Sequence, residues 1–272
     1  IKSNDYSKFT AQLGWREFSY NILYNFPNLS SKNFISKFDN FPWKKNEANF
    51  QKWRDGNTGY PIVDAGMREL KATGYMHNRL RMIVASFLVK NLNISWIFGA
   101  KWFWENLFDA DVANNFAGWQ WVAGCGTDAA PYFRIFNPTL QSTRFDKEGD
   151  YIRKWVPELA KIPLEYIFTP HLMSDGFQEK YSCVIGMNYP APIIDHNLQV
   201  KKAKNILYKI KSTYESKSEA KNALTKGLKD ATGGVPGIPG APGAHGADGG
   251  RDDLGGVAGE NPSAAGDGCG DA

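Results

Sequence analysis

Gly74-Tyr75-Met76-His77-Asn78-Arg79-Leu80-Arg81-Met82, then Asp109-Ala110-Asp111-Val112-Ala113-Asn114-Asn115 leading into Gly118-Trp119-Gln120-Trp121, and finally Asp128-Ala129-Ala130-Pro131-Tyr132-Phe133-Arg134-Ile135-Phe136-Asn137-Pro138 decide how this chain folds. The first two groups carry apolar residues at helical spacing. Amide, guanidinium, carboxylate and indole side chains are set among residues of the buried type. Buried polar groups need partners, so this mixture predicts a polar pocket for a large aromatic ligand.

On a helix spanning residues 75–91, Met76, Leu80, Ile83, Val84, Phe87 and Leu88 share one face. Asn78, Arg81, Met82 and Ala85 share the other. The C-terminal half is apolar all round, as in a buried helix, so Asn78 and Arg81 are expected to need internal partners. The plainer alternative is a core helix with a solvated polar end. In the opening helix Gln12, Trp15, Arg16 and Ser19 recur at i, i+3, i+4 and i+7, with Phe9, Leu13 and Tyr20 on a neighbouring face. Further on, Asp111, Asn115, Gly118 and Val122 share a face, with Trp119 beside Asn115. Asp109 and Asp111 are carboxylates matched to Arg79 and Arg81, and structural ion pairs are an open alternative to a ligand site. No histidine stands at metal-ligand spacing near them, which disfavours a metal. His77 reads as a core or capping residue.

Outward from this segment the helical period persists, with helices expected over 7–26, 46–55, 61–73, 75–91, 94–108, 111–121, 148–155 and 195–215. Pro61 suits a first helical turn, and Ser7 or Thr10 could cap the opening helix. No alternating pattern of useful length appears, so the fold class is all-α. Past about residue 218 the composition changes. Glycine falls at every third place from Gly234 to Gly249, the collagen-like period, but five triplets are too few for a triple helix. Half of the 27 glycines fall in residues 231–272, so this stretch cannot bury a core and is expected to be disordered. Residues 1–217 then form the helical domain and 218–272 a low-complexity tail.

Six acidic residues and one Arg in 231–272 take −5 of the net +4, leaving +9 on residues 1–230. A basic globular part suits phosphate-rich partners, although an ordinary basic surface would look the same. Cys125, Cys183 and Cys269 lack metal-ligand spacing and read as reduced thiols of a cytoplasmic protein. The strongest apolar run, Met82–Val89, is too short for a membrane span. No Gly-rich phosphate loop and no Ser-His-Asp or Cys-His arrangement can be argued. Ile1, entering directly into a helical pattern, suggests that the natural N-terminus lies further upstream.

From about Phe9 to Tyr214 the chain resembles the photolyase–cryptochrome family. Leu13-Gly14-Trp15-Arg16-Glu17-Phe18, Trp53-Arg54-Asp55-Gly56-Asn57-Thr58-Gly59-Tyr60-Pro61-Ile62-Val63-Asp64-Ala65-Gly66-Met67-Arg68 and the stretches quoted first are most similar to class I cyclobutane pyrimidine dimer photolyases of bacteria. The resemblance implies a helical domain that holds FAD in a folded conformation. Arg16 and Asn78 resemble flavin-contacting residues, and Arg81 with Asp109 an ion pair against the isoalloxazine. Asp111 lies in the stretch that contacts the cofactor, and Asn115 resembles the residue facing flavin N5. Trp15 and Trp121 resemble the walls of a lesion pocket, with Gln12, Asn78, Arg79 and Met82 as further contacts. Trp119, Trp96 and Trp43 resemble a three-tryptophan chain that carries electrons from the surface to the photoexcited flavin.

The implied activity is light-driven repair: excited reduced FAD donates an electron to a flipped-out pyrimidine dimer in damaged DNA, the cyclobutane ring splits, and the electron returns. The implied enzyme is a monomeric deoxyribodipyrimidine photo-lyase. Gln12 departs from the Glu usual in dimer photolyases and is more typical of six-four photolyases and cryptochromes. Tyr75 and Phe9 replace usual tryptophans. His77-Asn78 points the other way, since six-four enzymes carry two histidines there. An N-terminal α/β antenna domain with its chromophore, and the Ser/Thr-rich segment for the FAD diphosphate, are expected but lacking, so the chain as given is expected to hold flavin weakly. A cryptochrome-like photoreceptor without repair activity, or an inactive fragment that only binds nucleic acid, are the alternatives.

Overall fold

The computed structural model describes residues 3–127 and 134–211. Asp128–Phe133, quoted above, and the expected tail lie outside the described residues. Eleven α-helices run through the described part: α1 (Ser3–Asn25), α2 (Glu47–Arg54), α3 (Pro61–Thr73), α4 (Asn78–Ser86), α5 (Trp96–Asn106), α6 (Val112–Ala123), α7 (Pro138–Phe145), α8 (Asp150–Trp155), α9 (Leu164–Ile167), α10 (Asp175–Lys180) and α11 (His196–Lys211). The described residues contain no strand, only an isolated bridge between Ile185 and Tyr189. The fold is all-α.

Local chemistry sets the helix ends. Pro61 opens α3, where its missing N–H costs nothing, and Gly74 ends it in the left-handed region at φ 69°. Asn46, Ser95, Asp111 and Asn137 cap α2, α5, α6 and α7 by accepting from backbone N–H groups of the first turn. The expected helix over 75–91 starts later, because Gly74 stops α3 and His77 Nδ1 accepts from Arg79 N at 3.1 Å, capping α4. It also ends differently, in a π turn over Phe87–Asn91. The expected caps Ser7 and Thr10 lie inside α1, where Thr10 Oγ1 donates to Tyr6 O one turn back. Helix α7 had no counterpart in the periodicity.

One core joins α2 to α6, with Trp53, Met67, Ile83, Leu88 and Trp96 almost wholly shielded from water. Two buried polar residues hold it together. Asp64 accepts from Thr58 N (2.7 Å), Thr58 Oγ1 (2.6 Å), Gly59 N (3.0 Å) and the Tyr189 hydroxyl (2.6 Å). That joins the start of α3 to the segment around Tyr189. Gln120 accepts from Phe34 N at 2.9 Å and donates to Leu29 O at 2.8 Å and Lys32 O at 2.9 Å. It thereby fastens α6 to the turn that follows α1. No described helix is long and apolar enough to cross a membrane.

Candidate functional site

Helix α6 is the axis of the site, packed against α1, α4 and α5. At its N-terminus Asp111 accepts from Asn114 N at 2.8 Å and Asn114 Nδ2 at 2.6 Å. The Tyr20 hydroxyl reaches across from α1 to donate to Asp111 Oδ2 at 2.6 Å. Partial burial pushes the Asp111 carboxyl up, but the hydrogen bonds from Tyr20 and Asn114 outweigh it and hold it below its ordinary value. The same bond raises the Tyr20 hydroxyl. The pair is therefore a carboxylate with a neutral phenol, and it locks α1 onto α6.

Arg81 on α4 forms the second element. Its Nη2 donates to both carboxylate oxygens of Asp109, at 3.0 and 2.8 Å, while Nε donates to Met76 O at 2.7 Å. A guanidinium held by both branches presents a fixed planar charge. Both partners keep contact with water, at 26% and 43% side-chain exposure, so the pair is open to a further ligand. One turn beyond Asp111, Asn115 Nδ2 donates to Ala100 O of α5 at 2.9 Å. That bond fixes the amide plane and leaves one N–H and the carbonyl oxygen to act elsewhere.

Of the expected partners, then, Arg81 of α4 pairs with Asp109 in the turn before α6, while Asp111 and Asn115 stand in the cap and first turn of α6 with partners of their own. Arg79 does not pair with an aspartate; its guanidinium lies over the Phe145 ring at 4.7 Å. Asn78 is not an internal residue but an exposed one in the first turn of α4, and Met82 is partly buried. Gln12, Trp15 and Arg16 lie on an exposed stretch of α1, with Arg16 donating to its neighbour Glu17 at 2.9 and 3.2 Å. Trp121 is half-buried against the core. Trp119 and Trp96 are buried and Trp43 reaches the surface. Trp119 lies edge-on to Trp53 (6.2 Å) and Phe103 (4.9 Å), Trp96 edge-on to Phe116 (6.3 Å), and Trp43 packs on Phe41 at 4.1 Å. The Trp96 indole N–H donates to Asn33 Oδ1 at 2.8 Å.

Three glycines shape the surroundings. A Cβ on Gly99 of α5 would sit 2.1 Å from Trp119 Cη2, so the absent side chain makes the seat of that indole. Added at Gly14 or Gly118, a Cβ would meet nothing within 4 Å. Gly118 follows Asn115 by three residues, hence on the same face. The helix thus leaves the surface beside Asn115 uncovered at the cost of roughly 0.5–1 kcal/mol of helix propensity. The fixed guanidinium–carboxylate pair of Arg81 and Asp109 and the oriented Asn115 amide are donors and acceptors of the kind that a flavin ring can use. Sequence reasoning placed Tyr20 on a neighbouring face and missed its link to Asp111; its position four residues after Arg16 was the available signal.

Residues 9–209 match the family described as the FAD binding domain of DNA photolyase. The deoxyribodipyrimidine photo-lyase of Agrobacterium fabrum is 54% identical over 196 residues, covering 72% of this chain and 41% of that protein. Among solved structures, a bacterial class III photolyase from Agrobacterium tumefaciens superposes with a TM-score of 0.75 at 50% identity, over 78% of this chain and 44% of the other. A Synechocystis cryptochrome superposes with a TM-score of 0.70 at 40% identity, over 76% and 42%. The chain belongs to the photolyase–cryptochrome family through its FAD-binding domain. It spans about two-fifths of the length of the photolyase relative it matches. The likeness to a class III structure sets the assignment at the family rather than at class I.

Proposed function

We propose that this chain is the flavin- and lesion-contacting part of a deoxyribodipyrimidine photo-lyase, a light-driven enzyme that repairs cyclobutane pyrimidine dimers in DNA. The observation that carries the reading is the match of residues 9–209 to the FAD binding domain of DNA photolyase, whose relatives bear that name; the Arg81–Asp109 pair and the oriented Asn115 amide support it. Arg81, Asp109, Asp111 and Asn115 would hold FAD, with Arg16 and Asn78 at the rim. Bound in its reduced form, FAD supplies a photoexcitable electron donor. Asn115, oriented by Ala100 O, offers an amide that can donate or accept, and it adds no negative charge beside an electron-rich ring. The fixed Arg81 guanidinium supplies compensating positive charge.

The lesion reaches the flavin as an extruded dinucleotide, a step for which photolyases are themselves standard examples, at a cost of roughly a few kcal/mol. Trp15 and Trp121 recover it by stacking, worth about 1–3 kcal/mol per base. Gln12 can hydrogen-bond a thymine carbonyl but has no proton to give. Asn78, Arg79 and Met82 complete the contacts, and basic surface residues bind backbone phosphates in a salt-dependent way. Trp43, Trp96 and Trp119 form a relay from surface to core. In this proposal the protein acts as a monomer on damaged DNA in the cytoplasm, residues 1–217 are its catalytic domain, and an antenna pigment belongs to a part outside this chain.

The test is photorepair of an oligonucleotide with a single defined cyclobutane thymine dimer by the FAD-loaded protein, in light and in darkness, beside a matched six-four lesion. Light-dependent loss of the first lesion is expected; FAD uptake without repair of either overturns the reading. Gln12 and the likeness to a Synechocystis cryptochrome favour a photoreceptor as the second reading, and that outcome would select it.

A further inference from the structure

Phe145 ends α7 with 46% of its surface exposed, and two guanidiniums lie over its ring, Arg79 of α4 at 4.7 Å from the centroid and Arg144 at 5.3 Å. We propose that Phe145 is a positioning residue for DNA binding, a ring that holds Arg79 and Arg144 together as a clamp for backbone phosphate. The inference rests on the reading of Arg79 as a DNA contact and adds the group that aims it.

The carboxylates that the sequence offers to Arg79 are engaged elsewhere. Asp109 accepts twice from Arg81, and Asp111 accepts from Tyr20 and Asn114. No carboxylate among the described residues forms an ion pair with Arg79. The acidic residue next to Phe145, Asp146, is buried and accepts from Tyr151 N at 3.0 Å and Ile152 N at 2.9 Å. A carboxylate would neutralise a guanidinium and occupy its N–H donors. A ring attracts the cation through its π face and occupies none of them. Arg79 is therefore oriented while its charge and its in-plane donors stay available. It also stands in the first turn of α4, where no acidic residue offsets it. A positive charge there opposes the helix dipole, so an arriving anion relieves a cost that the folded chain already carries.

Arg144 brings a second positive charge to the same ring, although it has contacts beyond the ring as well. Like charges gathered on one patch repel each other, and an anion set between them removes that repulsion. Planar guanidiniums pair with phosphate oxygens in fork geometry. A duplex presents such phosphates in a continuous row, which makes the DNA backbone the partner that this pair of cations fits.

The experiment is equilibrium binding of a fluorescently labelled, lesion-free duplex to the full chain over a series of salt concentrations. The proteins compared are the unaltered chain, Phe145→Leu, Phe145→Trp, the double variant Arg79→Gln with Arg144→Gln, and that double variant carrying Phe145→Leu. Position 145 is exposed, and unchanged thermal midpoints show that each variant is folded. Phe145→Leu keeps an apolar side chain but removes the π face, and should weaken binding about fivefold. Phe145→Trp keeps the face and should bind at least as tightly as the unaltered chain. The double variant should lower the slope of log affinity against log salt by about two, close to one per phosphate contact. In that background Phe145→Leu should cost nothing more, because the groups it aims are gone. Unaltered affinity in Phe145→Leu overturns the clamp, and so does an equal loss in the double-variant background, which would make Phe145 a structural residue. In both of those cases duplex binding persists and the photorepair reading stands. Failure of the unaltered chain to bind duplex removes the clamp together with the DNA contact beneath it. Neither flavin nor light enters the assay.

Discussion

Replacing Gly99 by alanine sets two general rules against each other. Glycine in the middle of a helix is less favourable than alanine by about 0.8–1.0 kcal/mol, so propensity alone predicts that Gly99→Ala stabilises α5. The structure predicts the opposite. The added methyl would lie 2.1 Å from Trp119 Cη2, 2.4 Å from Cζ3 and 2.8 Å from Leu88 Cδ2, whereas carbon atoms rest at about 3.5–4.0 Å. Trp119 cannot easily retreat, since Trp53 and Phe103 hold its other sides and it is 3% exposed. Overpacking costs about 1–3 kcal/mol, and contacts this short place it in the upper part of that range, about 2–3 kcal/mol, so after the propensity gain the net loss is about 1–2 kcal/mol. For a domain of this size that lowers Tm by about 2–8 °C, measurable by thermal unfolding followed by circular dichroism, with altered indole fluorescence. A Gly99→Ala protein as stable as the parent or more so would refute the packing argument.

Asp64→Ala should be far more damaging, by about 3–5 kcal/mol, because it strands the Thr58, Gly59 and Tyr189 donors in a dry interior; urea unfolding checks this. Trp119→Phe should abolish photoreduction of oxidised flavin in the holoprotein while leaving repair by chemically pre-reduced flavin, and normal photoreduction would remove Trp119 from the relay. Asn115→Asp places a carboxylate where Asn115 donated to Ala100 O, and should alter the flavin spectrum that develops under illumination; unchanged spectra would unseat the N5 assignment. Lys90 makes a pH prediction. Its folded pKa, about 7, lies below the ordinary 10.5, so between those values the unfolded chain binds more protons than the folded one. Its contribution to stability therefore rises with pH through that window and is flat below 7. In urea titrations the difference between the parent and Lys90→Met should change with pH across 7–10.5 and stay constant at lower pH.

The parts of the fold set by short-range chemistry were readable in the sequence. Helix α3 lies where Pro61 and Gly74 put it, and Asp111 heads α6 as the apolar period suggested. What stayed hidden depends on distant partners. The π turn is hosted by Arg134 O and His196, residues 44 and 105 positions away. Periodicity alone runs one helix over 75–91, whereas the His77 cap, one of the two roles its sequence position allows, sets the start of α4 at Asn78. Helix α7 escaped the sequence reading because its eight residues are too few to build a period, although Asn137 caps it and Pro138 opens it. Arg81, Asp111 and Asn115, the residues proposed to hold flavin, were legible as polar groups in apolar company. Their wiring, Tyr20 to Asp111 and Asn115 to Ala100 O, was not, since hydrogen bonds across 91 and 15 residues leave no trace in spacing.

Helix α1 deserves its length. From Thr10 to Glu17 every residue is exposed, and burial begins only with Phe18, Ser19 and Ile22. Gln12, Trp15 and Arg16 therefore ride on a cantilever: their aim is set by the stiffness of the rod and its clamp at Tyr20, with Trp15 edge-on to Phe18 and Arg16 on Glu17 of the same rod. A proline at Glu17 would leave every one of those side chains intact and still point them elsewhere.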